Sequence, residues 1–154
     1  MGSAYEQLIE HFEKRGLKHT QHPETQAVVA SFGGHAGSYR VLGRVGDDRQ
    51  LFQVFGLTPF RVPEGSRAAI AETIARANYG LMLGKFELDL DDGELRFQVA
   101  HILTSDMLDD NVIERMIGVT LSMLDMYLPA FLSVIYGNEL PRLAVRCVEA
   151  GRST

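Results

Sequence analysis

The chain has 154 residues, with 15 Lys and Arg against 20 Asp and Glu for a formal charge of −5, and 45% of it is hydrophobic. That length suits a single domain spanning residues 1–154, with a core large enough to dispense with disulfides and metal. The acidic balance argues against a general nucleic-acid coat, whose affinity comes from Lys and Arg neutralising phosphates.

In chain order, the first helix is predicted from Ala4 to Arg15. Ser3 and Glu6 stand at capping-box spacing, Tyr5, Leu8, Ile9 and Phe12 share a face, and Gly16 terminates it. Three strands follow, Ala27 to Phe32, Ser38 to Val45 and Gln50 to Leu57. The turn formers Gly33, Gly34 and Gly37, and then Gly46, Asp47 and Asp48, separate them, so they read as an antiparallel meander. An alanine-rich helix from Glu64 to Tyr79 opens after Pro63 and stops at Gly80. In the next hairpin Phe86, Leu88 and Leu90 alternate with Lys85, Glu87 and Asp89. Asp91, Asp92 and Gly93 make its turn, and Leu95, Phe97 and Val99 line the return strand. A long helix from Asp109 to Tyr136, kinked at Pro129, and a short helix from Leu140 to Ala150 complete the chain. The pattern is an α+β fold: a five-stranded, mainly antiparallel sheet with helices packed on it, ordered α-β-β-β-α-β-β-α plus a short C-terminal helix.

Local motifs do not assemble into chemistry. Gly80, Gly84 and Lys85 are one residue short of a phosphate-binding loop, and Phe86 stands where a magnesium-binding hydroxyl belongs. The acids from Asp89 to Glu94 place neither the turn glycine nor the final acid of a calcium loop. His19 and His22 lack companions at zinc-ligand spacing. Cys147 reads as a small hydrophobe on the last helix, able to face the core. No catalytic, cofactor or metal residue is assigned, and enzyme activity is not expected. The lone cysteine cannot close an intramolecular disulfide, and the N-terminus lacks the basic start and apolar run of an export signal, so a cytoplasmic setting is expected.

The long helix carries the strongest signal. Residues 116–135 are long and apolar enough to span a bilayer, but Asp125 sits near their middle. Asn111, Arg115, Gly118, Ser122, Asp125, Pro129 and Ser133 recur as one polar stripe, which suits a buried amphipathic helix and argues against membrane insertion. One apolar face carries Ile113, Met116, Ile117, Leu121, Leu124, Leu128, Phe131 and Ile135. A second set, Val112, Val119, Met123, Met126 and Ala130, exceeds what a sheet requires; either the first and last helices cover it within the monomer, or it is the surface for a partner or a second subunit.

The stretch RANYGLMLGKFELDLDDGELRF from Arg76 to Phe97, PFRVPEGSRAAIAETI from Pro59 to Ile74, and YLPAFLSVIYGN from Tyr127 to Asn138 together resemble the YbjN-like family of bacterial sensory transduction regulators. The resemblance implies a fold similar to class I type III secretion chaperones, which are typically homodimers that bind extended segments of other proteins. The expectation is therefore a cytoplasmic homodimer that binds and regulates a partner protein or peptide in bacterial signal transduction, with no nucleic acid and no cofactor. The alternative is a small-molecule sensor with a pocket between the long helix and the sheet, where His101 and Tyr127 would be polar fixtures.

Overall fold

Ser3 starts the fold. In the computed structural model, which describes residues 2–151 apart from Arg49, its hydroxyl accepts the Glu6 N–H at 3.2 Å and opens α1, Ala4–Lys14. The capping expectation is met at that residue, and Gly16 follows the helix with φ +65°, a conformation that favours glycine. The meander is then β2 (Ala27–Gly33), β3 (Ser38–Val45) and β4 (Leu51–Arg61). A strand absent from the sequence prediction precedes it: β1, Thr20–His22, pairs antiparallel with β2, Thr20 opposite Val29 and His22 opposite Ala27. With β5 (Lys85–Leu88) and β6 (Glu94–Ile102), the sheet therefore has six strands, not five, in the order β1-β2-β3-β4-β6-β5 and antiparallel throughout. Three polar residues ahead of Pro23 have no apolar alternation to announce a strand, and the β2 backbone supplies the pairing instead. β4 also runs past its predicted end at Leu57, because the register shift between Leu57 and Arg61 accommodates Pro59.

One face of the sheet is the core face. Val41, Gly43 and Val45 stand opposite Gly56, Val54 and Phe52, and Val54 and Gly56 stand in turn opposite Val99 and Phe97 of β6, Glu94–Ile102. Across it lies α3, Asp110–Tyr136, whose Ile113, Leu124, Tyr127 and Phe131 are at most 1% exposed. Its length and apolarity would suit a bilayer, but here it is the central core helix. Phe86, on β5 (Lys85–Leu88), stacks edge-to-face with Phe97, Tyr127 and Phe131 at centroid distances of 5.0, 5.3 and 5.1 Å. α3 runs unbroken through Pro129, which lies on its exposed side, so the missing N–H falls where water can serve the freed carbonyl.

α1 joins α3 through a buried His11, whose Nδ1 lies 3.0 Å from Asp110 Oδ1 and Nε2 3.5 Å from Glu114 Oε2. α2, Arg67–Asn78, begins one 3-10 turn later than predicted, after Glu64–Ser66, and packs on β5 and α3. α4, Pro141–Ala150, forms an outer layer on α2 and α3, with Ala144 and Val145 buried.

Candidate partner-binding groove

The second apolar face of α3 is partly used inside the chain. Tyr127 is fully buried and its hydroxyl donates to Glu149 Oε2 of α4 at 2.6 Å, which fixes α4 against this side of α3. Ala130, three residues on, is 1% exposed and so is enclosed within the monomer, removing it from the predicted surface. Val112, Val119, Met123 and Met126 remain half-buried and partly open to solvent. The two proposed sensor fixtures do not converge. Tyr127 lies at the level of Phe86 and Phe97, whereas exposed His101 stands four residues beyond Phe97 on β6, about 13 Å away at strand rise.

Two small concavities beside α3 are lined by Phe32 with Ile117, Gly118 and Leu121, and by Gly33, Gly34 and Tyr39 with Leu121, Ser122 and Asp125; a more spacious one lies between α2 and α4. A groove of about 720 Å³ is lined by Glu72, Ala75, Arg76 and Tyr79 from α2 and its end, and by Arg142, Val145, Arg146, Glu149 and Ala150 from α4. Of its apolar lining, Ala75 is exposed and Val145 is buried. Both acids of the groove are engaged. Glu72 accepts from Arg76 Nε at 2.8 Å, and Glu149 accepts the Tyr127 hydroxyl. Among the described residues no carboxylate pairs with Arg142 or Arg146, both of which are exposed. Beside the groove, α2 stops at Tyr79 in extended backbone, and Gly80 turns the chain with φ +89°. Tyr79 is 90% exposed, Met82 100% and Leu83 51%, an unusual concentration of bare apolar surface within five residues. The glycines that imitated a phosphate loop are structural: a Cβ on Gly84 would come within 2.4 Å of Phe97 Cζ.

The sheet edge beside this loop is closed. Asn78 Nδ2 donates to the Phe86 carbonyl at 3.0 Å, and the Phe86 N–H donates to Asn78 Oδ1 at 2.8 Å. One side-chain amide thus occupies the backbone groups that an added strand would need on β5. Cys147 is exposed and does not face the core. Among the described residues no cluster of three or more His, Cys, Asp or Glu is arranged to hold a metal ion.

A second polar device sits on the opposite side of α3. Asp125, read from the sequence as part of a wet stripe, accepts the His35 N–H at 2.9 Å, the Ala36 N–H at 2.8 Å and the Tyr39 hydroxyl at 2.8 Å. Burial pushes its carboxyl up, but the three donors outweigh that and hold it below the usual carboxylate range. Burial, followed by the bond to Asp125 and its charge, pushes the Tyr39 phenol well above its ordinary value. The loop between β2 and β3 is thereby latched onto the middle of α3. A Cβ on Gly34 would stand 2.5 Å from Asp125 Oδ1, which explains a glycine there.

A single antiparallel sheet backed by a long core helix, with a lateral groove between α2 and α4, defines a small α+β domain. The model of the YbjN family, described as "Putative bacterial sensory transduction regulator", matches residues 4–133, more than four-fifths of the chain. The chain belongs to the YbjN family. A solved structure described as "Crystal structure of YbjN, a putative transcription regulator from E. coli" is similar in fold, with a TM-score of 0.57 and 13% identity, covering 79% of this chain and 86% of that one. No curated protein matches the chain. α4 lies wholly beyond the matched residues.

Proposed function

We propose that this chain is a regulatory module that acts by binding a partner protein and not by catalysis, working as a cytoplasmic homodimer in the manner of class I type III secretion chaperones. The carrying observation is the α2–α4 groove, with two arginines that pair with no carboxylate among the described residues and the bare Tyr79, Met82 and Leu83 at its side. The order α-β-β-β-α-β-β-α, present here with β1 and α4 added, supports the comparison, as does the regulator description of the family. Closure of the β5 edge by Asn78 favours a groove over strand addition at that edge. The strip of Val112, Val119, Met123 and Met126 is the part of α3 left for a second copy.

The test pairs two measurements. Light scattering at micromolar concentration should give about twice the 17.1 kDa of one chain. A protein captured by the wild type and lost with the Tyr79→Ser, Met82→Ser, Leu83→Ser variant should, once purified, slow hydrogen exchange in α2 and α4. A monomer refutes the dimer. Captured proteins indifferent to the triple substitution refute the binding surface.

A further inference from the structure

Arg142 and Arg146 lie four residues apart on α4, so their stems leave the helix about 6 Å apart along its axis. Like charges at this spacing disfavour a helix, and no acid of the described chain lies at ion-pair distance from either; Glu72 is paired with Arg76, while Glu149 accepts the neutral Tyr127 hydroxyl and keeps its own charge. With the Glu72–Arg76 pair neutral, Arg142 and Arg146 against Glu149 leave the groove a net charge of +1, and its α2 wall presents Ala75 and Tyr79 beside that pair.

We infer that the groove receives an extended segment of a partner protein in which acidic and apolar residues alternate. This rests on the partner-binding reading above and names the ligand chemistry. In an extended chain, side chains on one side recur about every 6.6–6.8 Å, close to the spacing of the two arginines, so carboxylates at alternate positions meet both of them. The intervening side chains point to the opposite side, where Ala75 and the exposed Tyr79 ring offer apolar contact. The two walls of the groove thus match the two faces of one strand. The arginines stand on α4, which lies beyond the residues matched by the family model.

The probe is a fluorescein-labelled hexapeptide of alternating aspartate and leucine, titrated against the full chain by fluorescence anisotropy. Saturable binding is expected, at least tenfold tighter than for the same peptide with asparagine in place of aspartate. It should weaken at least tenfold in the double variant Arg142→Gln, Arg146→Gln, which keeps good helix formers in α4 and whose thermal melt reports intact folding. Equal binding of the two peptides, undiminished binding by the folded double variant, or no saturable binding would overturn the inference. So would self-association abolished by Asp89→Asn with Asp91→Asn, which would assign the groove to the acidic hairpin of a second copy. If the peptide fails while the Tyr79, Met82, Leu83 variant still strips a captured protein, only the ligand chemistry falls; if both fail, the binding reading falls with it.

Discussion

Replacing Asp125 by alanine should loosen the molecule at a point far from the groove, and the size of the effect follows from who is left unpaired. Three donors lose their acceptor. His35 and Ala36 are exposed, so their N–H groups turn to water, and each loss costs little. Tyr39 is 2% exposed, and its hydroxyl is stranded. A stranded buried donor costs about 1–3 kcal/mol, and with the two charge-assisted backbone bonds the total is about 2–4 kcal/mol. Urea unfolding at pH 7, followed by circular dichroism, should show the midpoint fall with the slope unchanged. The double variant Asp125→Ala, Tyr39→Phe should be more stable than Asp125→Ala alone, because the stranded hydroxyl is gone. The pH dependence has a fixed sign. The folded carboxyl is held below its unfolded value, so its stabilisation is present above about pH 4 and lost as pH falls through the folded value. Wild type and variant should therefore converge in acid. A constant gap between them down to the acid transition, or a double variant no better than the single, would refute the latch.

Two further substitutions test the packing. Gly56→Ala would place a Cβ 2.4 Å from Leu124 Cδ1 and 2.5 Å from Thr120 Cγ2, so α3 must lift from the sheet at about 1–3 kcal/mol, read as a lower thermal midpoint; an unchanged midpoint would contradict this face-to-face contact. Asn78→Ala removes both bonds to Phe86, costing about 1–2 kcal/mol, and should speed hydrogen exchange at the Phe86 amide while promoting association through the opened β5 edge; unchanged protection of that amide would show that Asn78 does not close it.

The elements with a clear period were legible. Alternation marked β5 and β6, the Ser3 cap marked α1, and the apolar run marked α3 as the core helix. β1 was not, since Thr20, Gln21 and His22 are strand only because β2 offers them a partner. On α3, Ala130 is enclosed within the chain and Tyr127 is tied to Glu149 of α4, a pairing that no local spacing announces. Asp125 did leave a trace, a single acid in the middle of an apolar helix together with the cluster Gly33, Gly34 and Gly37. Only the folded chain shows that these answer each other. The groove needed the same step, because Arg76 and Arg142 are 66 residues apart and meet through the packing of α2 on α4. Its one local sign was two arginines at i and i+4 without an acid between them at pairing distance.

The net charge of −5 points away from an acidic ligand, while the groove points toward one, and distance decides between them. At physiological ionic strength a charge is screened beyond about 8 Å, so acids elsewhere on the chain contribute little inside the groove. Arg142 and Arg146 act within contact range, inside the screening distance. Lowering the salt restores the long-range repulsion of the whole chain as well as strengthening the local attraction. The two changes oppose each other, so binding of an acidic segment should depend on salt less steeply than two isolated arginine–carboxylate contacts would. A steep dependence would mean that other cations of the chain, such as Arg40 and Arg44 on β3, share in the contact.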